Sequence, residues 1–211
     1  MEQARTRSEE PCRFIVLDGI DGCGKSTQAE WLVGALREST GGEVLHLREP
    51  GSTEVGEAIR RILLSRELAL GPAVEALLFA AARRQMLDEV VAPALEAGGT
   101  VVCERFHAST FAYQAVAGGL DEDSVIALLA DWAGAPSPDL IVLLDVDVEA
   151  AGERRGAAGD RIEDRGRDFQ RRVAAGYRRY AERAPNVAVV AGDGPPERVS
   201  EAVMCEVQRV L

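Results

Sequence analysis

The sequence predicts an α/β fold with a doubly wound, five-stranded parallel sheet flanked by helices. Two observations lead to this prediction: short apolar segments alternate with helical stretches, and a glycine-rich turn joins the first segment to a helix. Strands separated by helices pair in parallel through right-handed crossovers, which places ligands at the carboxyl ends of the strands. The predicted strands cover residues 14–18, 43–47, 100–104, 140–145 and 187–190.

Length and composition restrict the classes of protein. With 211 residues, 46% of them hydrophobic, we predict a single domain over residues 13–211 after a flexible tail over residues 1–12. The net charge of −11 argues against a nucleic-acid binder, which needs a basic surface. The sequence has neither the apolar run of a signal peptide nor a stretch of about 20 apolar residues, so we expect a cytoplasmic protein without membrane contact.

The turn after the first predicted strand has the spacing of a phosphate-binding loop. Residues 19–26 read GIDGCGKS and fit G-x-x-x-x-G-K-S/T, in which backbone N–H groups surround phosphates and the hydroxyl ligates Mg²⁺. Lys25 is the only lysine among 24 basic residues, which indicates a site that needs a compact ammonium group. A glycine turn that binds no ligand would not explain why the only lysine lies at this position. The loop predicts a P-loop NTPase-type fold. Because the only lysine lies in this loop, the chain cannot carry the N-K-x-D signature of guanine-binding proteins.

Two further segments leave alternatives open when they are considered alone. Residues 48–60, REPGSTEVGEAIR, are an ordinary Pro-Gly turn into a helix capped by Thr53, or part of a site. Residues 77–86, LLFAAARRQM, favour a core helix, although paired arginines beside Phe79 also suit an anionic ligand with a flat ring.

The segment after the third predicted strand, ERFHASTFAYQ, combines polar and aromatic residues. Glu104 is a candidate for Mg²⁺ or its waters, and Arg105 can bind a phosphate through two hydrogen bonds. Ser109, Tyr113 and Gln114 can contact the polar edge of a base. A fully solvated helix start is the alternative, which the aromatic residues disfavour.

The segment after the fourth predicted strand is rich in arginine. Residues 154–172 contain seven arginines, and we interpret residues 165–172 as a solvated helix face held by ion pairs. The Gly-Ala-Ala-Gly interruption favours a mobile flap before that helix.

Six motifs in this order resemble the thymidylate kinase family, which phosphorylates dTMP with ATP. They are DGIDGCGKST, REPGST, LLFAAARRQ, ERFHASTFAYQ, LIVLLDVD and RRGAAGDRIE, and the likeness runs from about residue 13 to about residue 184.

The resemblance implies roles for individual residues. Phe79 would stack on the thymine, Tyr113 would crowd the 2′ position, and Asp21 would face the 3′-hydroxyl. ATP would bind Gly19, Asp21, Gly22, Cys23, Gly24, Lys25, Ser26 and Thr27. Mg²⁺ would bind Ser26 and Glu104. The dTMP would bind Asp18, Glu49, Pro50, Phe79, Arg83, Arg105, Ser109, Tyr113 and Gln114. Catalysis would depend on Lys25, Asp21, Arg105, Arg155 and Arg161.

The flap would then be a lid over about residues 154–164. Family members with glycine at the position of Gly22 supply an arginine from the lid, so we predict that Arg155 and Arg161, with Arg154 in reserve, meet the charge on the transferred phosphoryl group. The family usually has glutamate at position 18 and aspartate at position 104. We hypothesise that the exchange to Asp18 and Glu104 is compensatory, through one shared Mg²⁺-water network.

The predicted function is transfer of the ATP γ-phosphoryl group to dTMP in dTTP biosynthesis, by a homodimer. One alternative is a kinase for another pyrimidine nucleotide. The other is a nucleotide-dependent switch ATPase, which would not need the polar cluster from Ser109 to Gln114.

Overall fold

The computed structural model describes residues 13–155, 161–162 and 165–211, without the side chains of residues 40 and 155. Its five-stranded sheet is parallel throughout and consists of β1 (Phe14–Asp18), β2 (Val44–Arg48), β3 (Thr100–Glu104), β4 (Leu140–Asp145) and β5 (Val187–Ala191), in the spatial order β2-β3-β1-β4-β5. The predicted fold class is therefore confirmed. β2 lies one residue later than predicted, and β5 ends one residue later.

Helices connect the strands. A π-helical segment, Leu87–Val91, joins the helix Pro72–Met86 to the helix Ala92–Glu96, and a second, Phe111–Val116, continues the short helix His107–Thr110. Thr53 accepts a hydrogen bond from the Gly56 backbone N–H at 2.9 Å, which confirms the predicted cap. None of the helices in the described ranges has the length and apolar content to cross a bilayer. The helices are α1 (Lys25–Thr40), α2 (Glu54–Leu64), α3 (Pro72–Met86), α4 (Ala92–Glu96), α5 (His107–Thr110), α6 (Glu122–Ala133), α7 (Val148–Arg155), α8 (Arg167–Arg183) and α9 (Pro196–Gln208).

The central strand β1 is buried along its whole length, as expected for a parallel strand covered on both faces. Its last residues pair with β3 and β4, with Leu17 opposite Glu104 and Asp18 opposite Leu143. The carboxyl ends of these strands therefore meet at one edge of the sheet, where the phosphate loop begins.

Close packing of α8 against the Phe111–Val116 segment adds a residue from far along the chain to this edge. A Cβ atom on Gly176 would lie 2.7 Å from Ala112 Cα, so only glycine allows this approach. The contact brings Tyr177 to within hydrogen-bond distance of Asp18, 2.8 Å from Oδ1.

Candidate active site

A cavity of about 490 Å³ opens at the carboxyl ends of the central strands. Its wall combines the phosphate loop, the turn after β2, part of α2, Phe79 of α3 and the segment after β3. The predicted site residues that line it are Asp21, Gly22, Lys25, Ser26, Glu49, Pro50, Phe79, Glu104, Arg105, Ser109, Tyr113 and Gln114. The structure therefore brings most of the predicted dTMP site and part of the predicted ATP site together.

A second cavity, of about 420 Å³, lies against the phosphate loop and the start of α1. Cys23, Gly24 and Thr27 line it, together with Arg154 and the turn at Gly192. This turn follows β5, so the rule that ligands bind at the carboxyl ends of strands could have indicated it. The predicted site did not include this turn.

The phosphate loop has the backbone conformation that its glycines permit. Gly22 and Gly24 have φ values of 85° and 94°, in the left-handed region. A Cβ atom on Gly22 would lie 2.1 Å from the carbonyl oxygen of Ala151 in α7, so the packing leaves no room for a side chain. Lys25 Nζ lies 3.4 Å from Asp21 Oδ1 and is largely buried.

Asp21 lies between two cations, Lys25 and Arg105, in the wall of the cavity. Arg105 Nη2 contacts its Oδ1, and the Tyr113 hydroxyl donates to its Oδ2 at 2.8 Å. Burial opposes ionisation of Asp21, but the charges of Arg105 and Lys25 hold its pKa well below the usual range. Burial, with a contribution from Asp21, raises the pKa of Tyr113 well above its ordinary value, so the phenol remains a donor.

Asp18 is fully buried beneath the cavity and does not line it, so its predicted direct contact with substrate stays a prediction that the structure does not support. Its fully buried carboxylate accepts hydrogen bonds from the backbone N–H groups of Phe106 and Ser109 at 3.0 and 3.1 Å. The Ser109 and Tyr177 hydroxyls donate to Oδ1 at 2.7 and 2.8 Å. Asp18 therefore fixes the turn around Arg105, whose φ of 70° is unusual for a residue with a side chain.

Glu104 has different partners from Asp18 among the described residues. It accepts a hydrogen bond from Ser26 Oγ, and its Oε1 lies 3.0 Å from His46 Nε2. The two carboxylates make separate direct contacts, and their coupling through a shared Mg²⁺-water network stays a prediction. Ser26 and Glu104 still bring two oxygen donors together beside the phosphate loop.

Glu49 and Arg83 form a buried ion pair behind the cavity. Arg83 Nε and Nη2 each donate to Glu49 Oε2, at 2.8 and 2.6 Å, and Nη2 also donates to Thr110 Oγ1 at 3.2 Å. Burial raises the pKa of Glu49 to about 7, although Arg83 opposes this shift. Arg83 Nη1 is buried and has no hydrogen-bond partner in the described part of the chain. The pair fixes Glu49 in the cavity wall, whereas Arg83 itself is 1% exposed.

The comparison with known families agrees with this geometry. The family model described as thymidylate kinase matches residues 17–203. The chain belongs to the thymidylate kinase family. It is 42% identical over 198 residues to a thymidylate kinase of Parasynechococcus marenigrum (strain WH8102), covering 90% of this chain and 94% of the relative. It is also 44% identical to one of Thermomicrobium roseum (strain ATCC 27502 / DSM 5159 / P-2), covering 94% and 95%. A thymidylate kinase of Paraburkholderia xenovorans (strain LB400) is 46% identical, covering 82% and 85%.

The predicted lid arginines do not lie together in the structure. Arg161 Nη2 donates to the Leu63 carbonyl at 2.9 Å and pairs with Glu75 Oε1 at 2.8 Å. Arg154 Nη1 donates to the Gly192 carbonyl at 2.9 Å, beside the phosphate loop. The side chain of Arg155 and residues 156–160, 163 and 164 lie outside the described residues.

The arginines after the lid were predicted to form a solvated face, and this is correct only for part of them. Arg171 pairs on the surface with Asp168 at 3.1 Å and also contacts Glu149. Arg165 instead contacts the buried carboxylate of Glu75 in α3. Glu75 and Tyr177 were both missed as residues near the thymidylate kinase site, because nothing in the neighbouring sequence marks them.

Proposed function

We propose that the chain is a dTMP kinase that converts dTMP and ATP into dTDP and ADP in dTTP biosynthesis. The observation that carries the proposal is one cavity that combines Lys25 of the phosphate loop, Arg105 and a wall with Phe79 and Gln114. A nucleoside monophosphate needs this combination, because its phosphate must approach ATP while its base is held. Membership of the thymidylate kinase family supports thymine as the base.

In the proposed mechanism, the phosphate loop binds the phosphates of ATP and Lys25 contacts their oxygens. Arg105 pairs with Asp21 in the structure, and we propose that the acceptor phosphate attracts its guanidinium group. A monophosphate oxygen is already nucleophilic near pH 7, so in-line transfer requires no general base and no covalent intermediate. The residues of the chain position the substrates and neutralise their charge.

A magnesium ion fits the donor set beside the loop. Ser26 and Glu104 offer a hydroxyl and a carboxylate, and Mg²⁺ prefers oxygen ligands. When bound, Mg²⁺ would neutralise charge on the phosphates of ATP.

We infer that Arg161 reaches the transferred phosphoryl group during turnover, after leaving Glu75 and Leu63. Arg161→Ala is expected to lower kcat by about 10³-fold, as for other arginines that meet this charge, with a much smaller change in the KM for dTMP. Arg171→Ala is the matched control, because Arg171 is exposed and pairs on the surface with Asp168 of α8 and Glu149 of α7. An unchanged kcat for Arg161→Ala would remove this assignment.

We also propose a homodimer, and a cytoplasmic location stays a prediction. Exposed apolar side chains are concentrated on α2, α3 and the loop between them, which hold five of the nine large exposed hydrophobic residues among those described. A second copy of the chain is the occupant that we infer for this surface, since the family resemblance implies a homodimer. The residues are Val55, Ile62, Leu68, Val74 and Leu77, which are 41–59% exposed.

Sedimentation measurements test the dimer. The wild-type chain is expected to have twice the monomer mass, and Leu77→Glu is expected to shift it toward the monomer. Val189→Glu is the control, because Val189 is also 53% exposed but lies on the edge strand β5. Equal masses for the two variants would refute this choice of surface.

The decisive test of the function is ADP release from Mg·ATP with dTMP, dUMP, dCMP, dGMP, AMP or thymidine as acceptor. Strong stimulation by dTMP and weaker stimulation by dUMP are expected. Preference for another pyrimidine monophosphate would support the first alternative. Slow release that no acceptor changes would support a switch ATPase.

A further inference from the structure

A buried acidic residue behind the cavity contacts one of the side chains in its wall. Glu75 lies in the first turn of α3, and its side chain is fully buried. Gln114 lies in the Phe111–Val116 segment, lines the cavity and donates from Nε2 to Glu75 Oε2 at 3.0 Å. The two residues are 39 positions apart, and their contact is one of the points at which α3 meets the segment after β3.

The charge of Glu75 is balanced from the lid side. Arg161 pairs with its Oε1 at 2.8 Å, and Arg165 contacts the same oxygen. Two guanidinium groups thus face one carboxylate oxygen, while the other oxygen faces Gln114. When Arg161 moves to the transferred phosphoryl group, Arg165 still pairs with Glu75, so the side chain faces Gln114 as a carboxylate, which can only accept hydrogen bonds.

The chemistry of this contact fixes the orientation of the Gln114 amide. An amide group has one end that donates and one end that accepts. Because a carboxylate only accepts, the end of Gln114 that faces Glu75 must be the NH₂ group. The carbonyl oxygen, Oε1, is then the end that remains for a ligand in the cavity.

We propose that Glu75 is a positioning residue that determines base selectivity by holding Gln114 with its carbonyl oxygen toward the base. This inference rests on the proposed function. Thymine and uracil carry a hydrogen on N3 and can donate to a carbonyl oxygen, whereas N3 of cytosine is an acceptor and would face another acceptor. A buried pair of acceptors without a hydrogen between them is unfavourable, so the site rejects cytosine.

Two nucleoside monophosphate substrates that differ only along this edge of the base give the sharpest test. dTMP and 5-methyl-dCMP share the ring methyl group and differ at N3 and at the substituent on C4. The wild-type chain is expected to prefer dTMP in kcat/KM and in Kd measured by calorimetry without ATP. No preference between them would overturn the inference, and this comparison needs no variant, so it holds even if a substitution at position 75 prevents folding.

Glu75→Gln then separates positioning from a structural role. A glutamine at position 75 can accept or donate, so the Gln114 amide is free to turn its NH₂ group toward the base. The ratio of kcat/KM for dTMP to that for 5-methyl-dCMP is expected to fall by about tenfold to a hundredfold, with a rise in the activity toward 5-methyl-dCMP. A purely structural role would lower both activities together and leave the ratio unchanged, which would overturn the inference.

Glu122→Gln is the matched control. Glu122 also pairs with two arginines, Arg179 at 2.7 Å and Arg183 at 2.9 Å, but it lies on α6 and does not line the cavity. The Glu122→Gln variant is expected to have the wild-type ratio of kcat/KM for dTMP to kcat/KM for 5-methyl-dCMP. A wild-type chain that phosphorylates neither acceptor would refute the proposed function and this inference together, whereas an unchanged ratio in Glu75→Gln would refute this inference alone.

Discussion

The substitution Asp18→Asn tests whether the buried carboxylate under the cavity holds Arg105 in place. Asp18 Oδ2 accepts from two backbone N–H groups, and Oδ1 accepts from the Gly19 N–H at 2.9 Å and from two hydroxyls. An asparagine NH₂ group in place of Oδ2 would face two backbone donors. In place of Oδ1 it would face only one, because the hydroxyls of Ser109 and Tyr177 can rotate to accept.

The less costly orientation therefore leaves one buried N–H group without an acceptor. An unsatisfied buried donor costs about 1–3 kcal/mol. The remaining hydrogen bonds to position 18 also become weaker, because their acceptor is no longer a charged carboxylate. We expect the free energy of unfolding to fall by about 2–3 kcal/mol, which lowers Tm by about 5–10 °C for a chain of this size. We also expect kcat/KM for dTMP to fall at least about tenfold, because Arg105 depends on this turn.

Thermal unfolding followed by circular dichroism and an ADP-release assay measure the two effects. Asp139→Asn is the control, since Asp139 is exposed and its side chain accepts one backbone N–H, from Phe14 at 2.8 Å. An Asp18→Asn variant with the Tm and the kcat/KM of the wild type would refute the argument that Asp18 positions Arg105.

Three further substitutions test separate features. Burial lowers the pKa of His107 from its ordinary 6.5 to about 3, so the free energy of unfolding should decrease as the pH falls from about 6.5 toward 3. The loss at pH 5 should be about 2 kcal/mol, and urea unfolding should show a flatter pH profile for His107→Gln. Gly22→Ala should lower kcat at least about tenfold, because its Cβ would collide with the Ala151 carbonyl; a normal kcat would mean that α7 can move away. Lys25→Arg should lower kcat about 10²-fold or more with little change in Tm, since a planar guanidinium group cannot replace the ammonium; wild-type turnover would contradict this reading of the lone lysine.

The phosphate loop and the order of strands and helices were predictable because each is specified by a short, continuous stretch of sequence. The loop is eight consecutive residues whose glycines permit one backbone conformation, and the strands are short apolar runs between helical patterns. β1, β3 and β4 have the predicted bounds, since buried parallel strands carry continuous apolar sequence. The segment after β3 was also predictable, because polar residues at a strand end in this fold face the ligand side.

The sequence by itself thus determined the fold class, the family and most of the cavity wall. Only the tertiary structure decided what supports that wall. Asp18 meets Tyr177 across 159 positions, and Glu75 meets Arg165 across 90. The physical reason is that a buried carboxylate is stabilised by whichever donors the folded chain brings to it, and no periodicity or motif spacing encodes donors that come from separate helices.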